Sequence, residues 1–354
     1  MKKEAILQVN GIYKSFGVVK ALKDVSISFL PGEIHGLIGE NGSGKSTLSS
    51  IISGIYSCNQ GEMILDGKVY KPTSIMDGEK HGICMIVQEM GTIGGITVAA
   101  NVFAGKEELF SRLGIVNRKA MNRAAQEALD KIGASYIKAE NKIDKESFEN
   151  RKIVEIARAM FNDVKVLIID ETTTALSQKG RELIYQIMDR LKDENKVVIF
   201  ISHDLDELTE HCNTVTVLRD GVYIKTLHGE EIQPDVMRQL MIGREVQDNY
   251  YRDDYDDYRG GEDVITVENV CTEGGLKNVS FALKKGEILG IGGLTDSGMH
   301  DLGRTVFGLE KCEKGSVYLS SSSEKIQSPQ KAIRHKIGYV SKNRDKESIL
   351  NQSN

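Results

Sequence analysis

The side chains best equipped for chemistry in this 354-residue chain are Lys45, Asp170, Glu171, Gln88 and His203, each at the end of an apolar run or just beyond one. Lys45 lies in GENGSGKST (39–47), which fits the spacing G-x-x-x-x-G-K-[ST] of a phosphate-cradling turn. Glycine at 39, 42 and 44 frees the backbone N–H groups of Glu40, Asn41, Gly42, Ser43, Gly44, Lys45 and Ser46 to converge on phosphate oxygens, at the positive end of the helix expected next. Lys45 is then expected to reach the β- and γ-phosphates, Ser46 to place its hydroxyl on Mg²⁺, and Thr47 to act as a further donor.

VKVLIIDE (164–171) predicts a β-branched, wholly buried strand that delivers two carboxylates at its carboxyl end, where open α/β sheets place their chemistry. Asp170 is expected to hold Mg²⁺ through water and Glu171 to polarise the water that attacks the γ-phosphate. ICMIVQE (83–89) carries Gln88, which can reach the metal or that water. KVVIFIS (196–202) ends at His203, whose imidazole can hydrogen-bond the γ-phosphate. Phe16 closes ILQVNGIYKSF (6–16) and has a π-face on which an adenine can stack, although a core phenylalanine is the plainer account.

Short apolar runs must position these groups. VSISF (25–29) and IHGLI (34–38) predict strands around the Pro31–Gly32 turn, and EMILDG (62–67) a strand into a turn. Residues 97–160 change to helical periodicity in VAANVF, in MNRAAQEALDKI (121–132) and in IVEIARAM (153–160), which predicts a helical insert. Helices are also expected at 181–191 and 234–241. QDNYYRDDYDDYRGGED (247–263), acidic and tyrosine-rich, predicts a solvated linker over 246–262.

Composition narrows the function classes. With 40% hydrophobic residues the chain can bury ordinary cores, while a net charge of -5 argues against nucleic acid as a partner. Five separated cysteines without a C-x-x-C pair argue against a disulfide framework or zinc site. Residues 1–16 contain no apolar export signal, and no run approaches the ~18 apolar residues of a spanning helix.

Beyond the linker the sequence repeats itself. ALKDVSISFLPGEIHGLIGENGSGKS (21–46) aligns without gaps on GLKNVSFALKKGEILGIGGLTDSGMH (275–300), and the same offset pairs Gly54 with Gly308, Cys58 with Cys312, Gly61 with Gly315 and His81 with His335. The copy differs at the reactive positions: Met299 stands for Lys45, His300 for Ser46, Asp296 for Gly42 and Lys342 for Gln88. A carboxylate and a thioether there oppose phosphate binding at Gly293–His300. Residue 354 corresponds to position 100 of the first copy, so half a domain is expected, its strands lacking their central partners.

These motifs resemble the ATP-binding subunit of ABC importers, in particular the tandem-cassette subclass serving monosaccharides such as ribose, galactose or xylose. GENGSGKST is similar to its Walker A, LIIDE to its Walker B, VQE to its Q-loop, ISHD to its switch-histidine segment, and Phe16 after Lys14 to its adenine-stacking aromatic. The resemblance implies an α/β P-loop NTPase core with a mixed sheet, a first cassette over 1–245 with a helical subdomain at about 97–160, and a partial degenerate cassette over 263–354. It further implies ATP and Mg²⁺ as cofactors, transmembrane permease subunits as direct partners, a periplasmic or extracellular sugar-binding protein as an indirect one, and a second cassette or second copy to close the ATP site. The implied location is the cytoplasmic face of the cell membrane.

Departures from the family pattern matter. The signature expected before IVEIARAM is ESFENRK (146–152), where within Ser147–Arg151 only Ser147 matches and Glu149 replaces a glycine that normally donates N–H groups to the partner cassette's γ-phosphate. Thr172 replaces the proline after the Walker B glutamate and Ser177 the D-loop aspartate. The expected activity is ATP binding with little turnover by the chain alone, in an ATPase that energises sugar import. The alternatives are a non-hydrolysing regulatory ATP-binding module and a soluble, non-transport ABC ATPase.

Overall fold

The chain of this computed structural model divides into two compact units, residues 1–247 and 248–354. The structure describes residues 4–87, 91–112, 114–161, 163–243, 261–293 and 297–341. The expected linker therefore lies almost wholly outside the described residues, as do Gln88, Asp296 and Lys342.

The first unit opens with β1 (Leu7–Phe16), β2 (Val19–Phe29), β3 (Glu33–Ile38), α1 (Lys45–Ile52), β4 (Gln60–Leu65), β5 (Lys68–Tyr70), α2 (Ile75–Lys80) and β6 (Ile83–Ile86). The insert follows with α3 (Val98–Val102), a hairpin of β7 (Ser111–Arg112) and β8 (Ile115–Val116), α4 (Arg118–Lys131) and α5 (Phe148–Met160). The unit closes with β9 (Val166–Asp170), α6 (Gln178–Asp193), β10 (Val197–Ile201), α7 (Leu205–His211), β11 (Thr214–Arg219), β12 (Val222–His228) and α8 (Pro234–Ile242).

Two sheets result. The antiparallel one has the order β2-β1-β4-β5; the six-stranded one, β12-β11-β3-β10-β9-β6, is parallel except at its β11–β12 edge. Every residue of β3, β9 and β10 is buried, as strands with neighbours on both edges and layers on both faces must be. Their carboxyl ends meet at one edge of the sheet, which brings residues 39, 170 and 202 together. The insert is not wholly helical: Gly114 at φ 79° turns the small β7–β8 hairpin. Among the described residues, no helix is long and apolar enough to cross a membrane.

In the second unit β13 (Asp263–Cys271), β14 (Val279–Lys284), α9 (Met299–Val306), β15 (Lys314–Leu319), β16 (Glu324–Lys325) and α10 (Pro329–Arg334) repeat the first unit's antiparallel sheet, in the order β14-β13-β15-β16. The duplication extends to backbone contacts. A Cβ on Gly61 would lie 2.2 Å from Gly11 O and one on Gly315 2.1 Å from Glu268 O, so neither position accepts a side chain. The counterparts of β3 and β6, residues 287–293 and 337–340, form no strands, and Ile288 and Val340 are 91% and 93% exposed. Parallel strands hold only between neighbours, and the described residues of this unit contain no counterpart of β9, β10 or β11.

Candidate functional site

The turn between β3 and α1 is shaped by its glycines. Gly44 sits at φ 102°, in the left-handed region, and a Cβ there would come within 2.6 Å of Leu22 Cδ2 and 2.8 Å of Ala21 O. Gly42 at φ 84° faces open space, so a side chain would fill the hollow that the turn encloses. No side chain caps α1, which leaves its first N–H groups to a ligand. Lys45, 5% exposed, folds its ammonium back to donate to Gly39 O (2.7 Å) and Glu40 O (3.1 Å). Burial pulls its pKa below the ordinary lysine value, with the charges of Glu171 and Asp170 acting in the opposite direction.

Across the hollow, β9 ends on Asp170, and Glu171 follows it. Asp170 is 5% exposed and accepts a hydrogen bond from the Ser46 hydroxyl, while its Oδ1 is buried without a partner. Glu171 takes φ 46°, a rarely occupied conformation for a residue with a side chain. Its Oε1 lies 2.7 Å from His203 Nε2, the first residue but one after β10. Asn41, Gly42, Gly44, Lys45, Ser46 and Thr47 line one wall of a cavity of about 480 Å³, Glu171 and His203 another, and residues 19–21 its mouth. A lysine ammonium held on two carbonyls of its own turn, helix N–H groups and a carboxylate–imidazole pair share one hollow, an arrangement that can take a polyphosphate with a base at hand. Ser46 and the unpartnered Asp170 oxygen are hard oxygen donors that could hold a small divalent cation.

Burial, then the charge of Glu171, raises Asp170 from 3.8 to about 6. A folded-state pKa above the unfolded one means the metal-free fold binds the proton more tightly, so stability falls as pH rises from about 4 to 6 and stays lower above that. Asp170→Asn is therefore expected to stabilise the metal-free chain at pH 7.5 by on the order of 2 kcal/mol, a gain that shrinks at pH 5, as urea melts at the two pH values will show. Mg²⁺-dependent nucleotide binding should weaken as pH falls below about 6 and vanish in the variant.

The remaining sequence expectations place as follows. Phe16, 42% exposed, does not line the cavity; it pairs across the β1–β2 turn with Val19, which does. The Tyr56 ring meets it edge-on at 5.1 Å and the Lys14 ammonium lies 5.0 Å from its centre. Gln88 is outside the described residues, but α5 grips both shoulders of its segment: Lys152 donates to Val87 O (2.7 Å) and Glu155 accepts from Gly91 N (2.7 Å). The degenerate signature segment forms the first turn of α5, capped by Ser147. Glu149 does not project a free carboxylate; it accepts from the N–H and the hydroxyl of Ser177, both at 2.9 Å, at the start of α6. Thr172 is buried and donates to Asp170 O (3.1 Å). The sequence reading missed residues 19–21, whose only signal was their place at a hairpin tip, and the contact between Glu171 and His203, which no spacing announces.

The family model described as ABC transporter matches residues 22–174. The chain is 35% identical to the ribose import ATP-binding protein RbsA of Caldanaerobacter subterraneus subsp. tengcongensis over 98% of its own length and 69% of the relative's. It is 36% identical to the protein of the same name in Lacticaseibacillus paracasei, over 97% and 68% of the two lengths. Among solved structures, the ADP conformation of an ATP-binding cassette of an ABC transporter aligns with a TM-score of 0.59 at 25% identity, covering 68% of this chain and 98% of that one. A nucleotide-free cassette aligns with a TM-score of 0.58 at 26% identity, covering 66% and 95%. Geometry and kinship agree: the chain belongs to the family of ABC transporter ATP-binding proteins.

Proposed function

We propose that this protein is the ATP-hydrolysing, energy-coupling subunit of an importer for a monosaccharide of the ribose class, held on the inner face of the membrane by permease subunits. The observation that carries the hydrolytic part is the 2.7 Å contact of Glu171 with His203, opposite Lys45 and Ser46 in one cavity. The names of the relatives carry the sugar.

In this reading the turn at 39–47 binds the triphosphate through its N–H groups, and Lys45 exchanges the Gly39 and Glu40 carbonyls for β- and γ-phosphate oxygens. Ser46 and Asp170, with Gln88, would hold Mg²⁺, which supplies neutralising charge to the phosphates. Glu171 accepts a proton from the attacking water as it adds to the γ-phosphorus, and the bond to the bridging oxygen of ADP breaks. His203 keeps the Glu171 carboxylate aimed and hydrogen-bonds the γ-phosphate. Phe16 stacks on adenine.

Docking is supported by a groove of about 760 Å³ between α2 and the insert, lined by Ile75, Met76, Leu109 and Phe161, all more than a third exposed, and by Val87 and Gly91 on either side of the Gln88 segment. Apolar side chains rimmed by charge suit a short amphipathic segment of a membrane partner. Met76→Glu with Leu109→Glu is expected to abolish co-purification with co-expressed candidate permease subunits, and ATP-driven sugar uptake in proteoliposomes, while nucleotide affinity stays within twofold. Uptake at the parent rate would refute the docking.

A further inference from the structure

Glu207 is a buried carboxylate that nothing above employs. It sits on α7, 8% exposed, and its partners are three hydroxyls from three elements. Its Oε2 accepts from Thr173 Oγ1 (3.1 Å) and from Ser202 Oγ, and its Oε1 from the Tyr185 hydroxyl of α6. Thr173 follows Glu171 by two residues, and Ser202 immediately precedes His203. The backbone adds one bond between the same two strand ends, from Glu171 N to Ile201 O (2.9 Å).

We infer that Glu207 is a positioning residue for the hydrolytic pair: by holding the turn after Glu171 and the residue before His203 on a single oxygen, it keeps the 2.7 Å contact between base and imidazole in register while nucleotide enters and leaves. Glu207 divides its two oxygens among three elements, and two of the three donors stand within two residues of a reacting side chain. It does not line the cavity, so it acts through its neighbours. Burial and the Glu207 carboxylate itself push the Tyr185 phenol above its ordinary value, so this donor keeps its proton across the working pH range. A carboxylate has no proton to give and accepts from all three hydroxyls at once, whereas an amide presents one oxygen and an N–H₂ face that turns a donor away.

This inference rests on Glu171 and His203 as the hydrolytic pair, and the test separates the two claims. Full-length chain in excess over radiolabelled Mg-ATP gives the single-turnover hydrolysis rate, and a fluorescent ATP analogue gives affinity. Glu207→Gln is expected to lower the rate at least tenfold with affinity within twofold, and to shift the His203 ring signal in the NMR spectrum, assigned by its loss in His203→Gln, while the His81 signal stays put. Thr173→Val and Ser202→Ala, each removing one donor, should show smaller losses of the same kind, and they carry the test if Glu207→Gln does not fold. A rate within twofold of the parent overturns the inference, and so does an unmoved His203 signal, which decides alone if turnover is too slow to measure. If Glu171→Gln hydrolyses at the parent rate, the hydrolytic pair itself is misassigned. If Glu171→Gln is dead and Glu207→Gln is not, only the positioning role falls.

Discussion

Glu171→Gln will hold Mg-ATP and fail to hydrolyse it, with a single-turnover rate at least ~100-fold below the parent and nucleotide affinity unchanged or tighter. Removing a positioned general base typically costs two to four orders of magnitude, roughly 3–5 kcal/mol of barrier. The amide keeps the shape of Glu171 and its contact with His203 Nε2, but it cannot take the proton from water. Binding survives because the phosphate contacts come from the opposite wall, from the turn at 39–47 and α1. Loss of a carboxylate beside a tetra-anionic ligand also removes repulsion, hence the tighter limit. Release of radiolabelled phosphate within one turnover, together with filter binding of the same nucleotide, separates these effects. Parent-like release would mean that the base is another group.

The second large effect is on affinity. Lys45→Ala is expected to weaken Mg-ATP binding by about 100-fold or more, since a charge-assisted bond to phosphate in a buried site contributes roughly 2–3 kcal/mol or more. The variant fold should survive. In the ligand-free chain the Lys45 ammonium is spent on two carbonyls of its own turn, and its burial already lowers its pKa, so the native fold gains little from it. A titration with the fluorescent analogue and a thermal melt should therefore move in opposite senses: affinity lost, melting temperature kept or raised. Unchanged affinity would dismiss the assignment of the phosphate turn.

Much of the site was legible before the fold was seen, for a physical reason. The phosphate turn is local: glycines at 39, 42 and 44 are spaced by what one loop and one helix end require, and the positive φ values at 42 and 44 are what the spacing implied. The strands β9 and β10 were equally plain, because burial on both faces leaves no room for alternation in VLIID and VVIFI. The contacts that cross the sheet were not legible. Glu171 and His203 come from different strands, and only the register Asp170↔Ile201 makes them neighbours. Nothing in LDELTEH (205–211) marks Glu207; only the fold brings its three hydroxyls together. The signature region misled in a specific way. Its Glu149 carboxylate was expected to stand near a partner's phosphate and repel it, and the fold instead bonds it to Ser177 at the start of α6, because α5 starts earlier than the periodicity of IVEIARAM showed.

That pairing couples two helix starts. Glu149 places one negative charge at the amino ends of both α5 and α6. Glu149→Gly strips α6 of an anchor, at a cost of roughly 1 kcal/mol, and Ser177→Asp sets two carboxylates against each other, so changes at the two positions will not add.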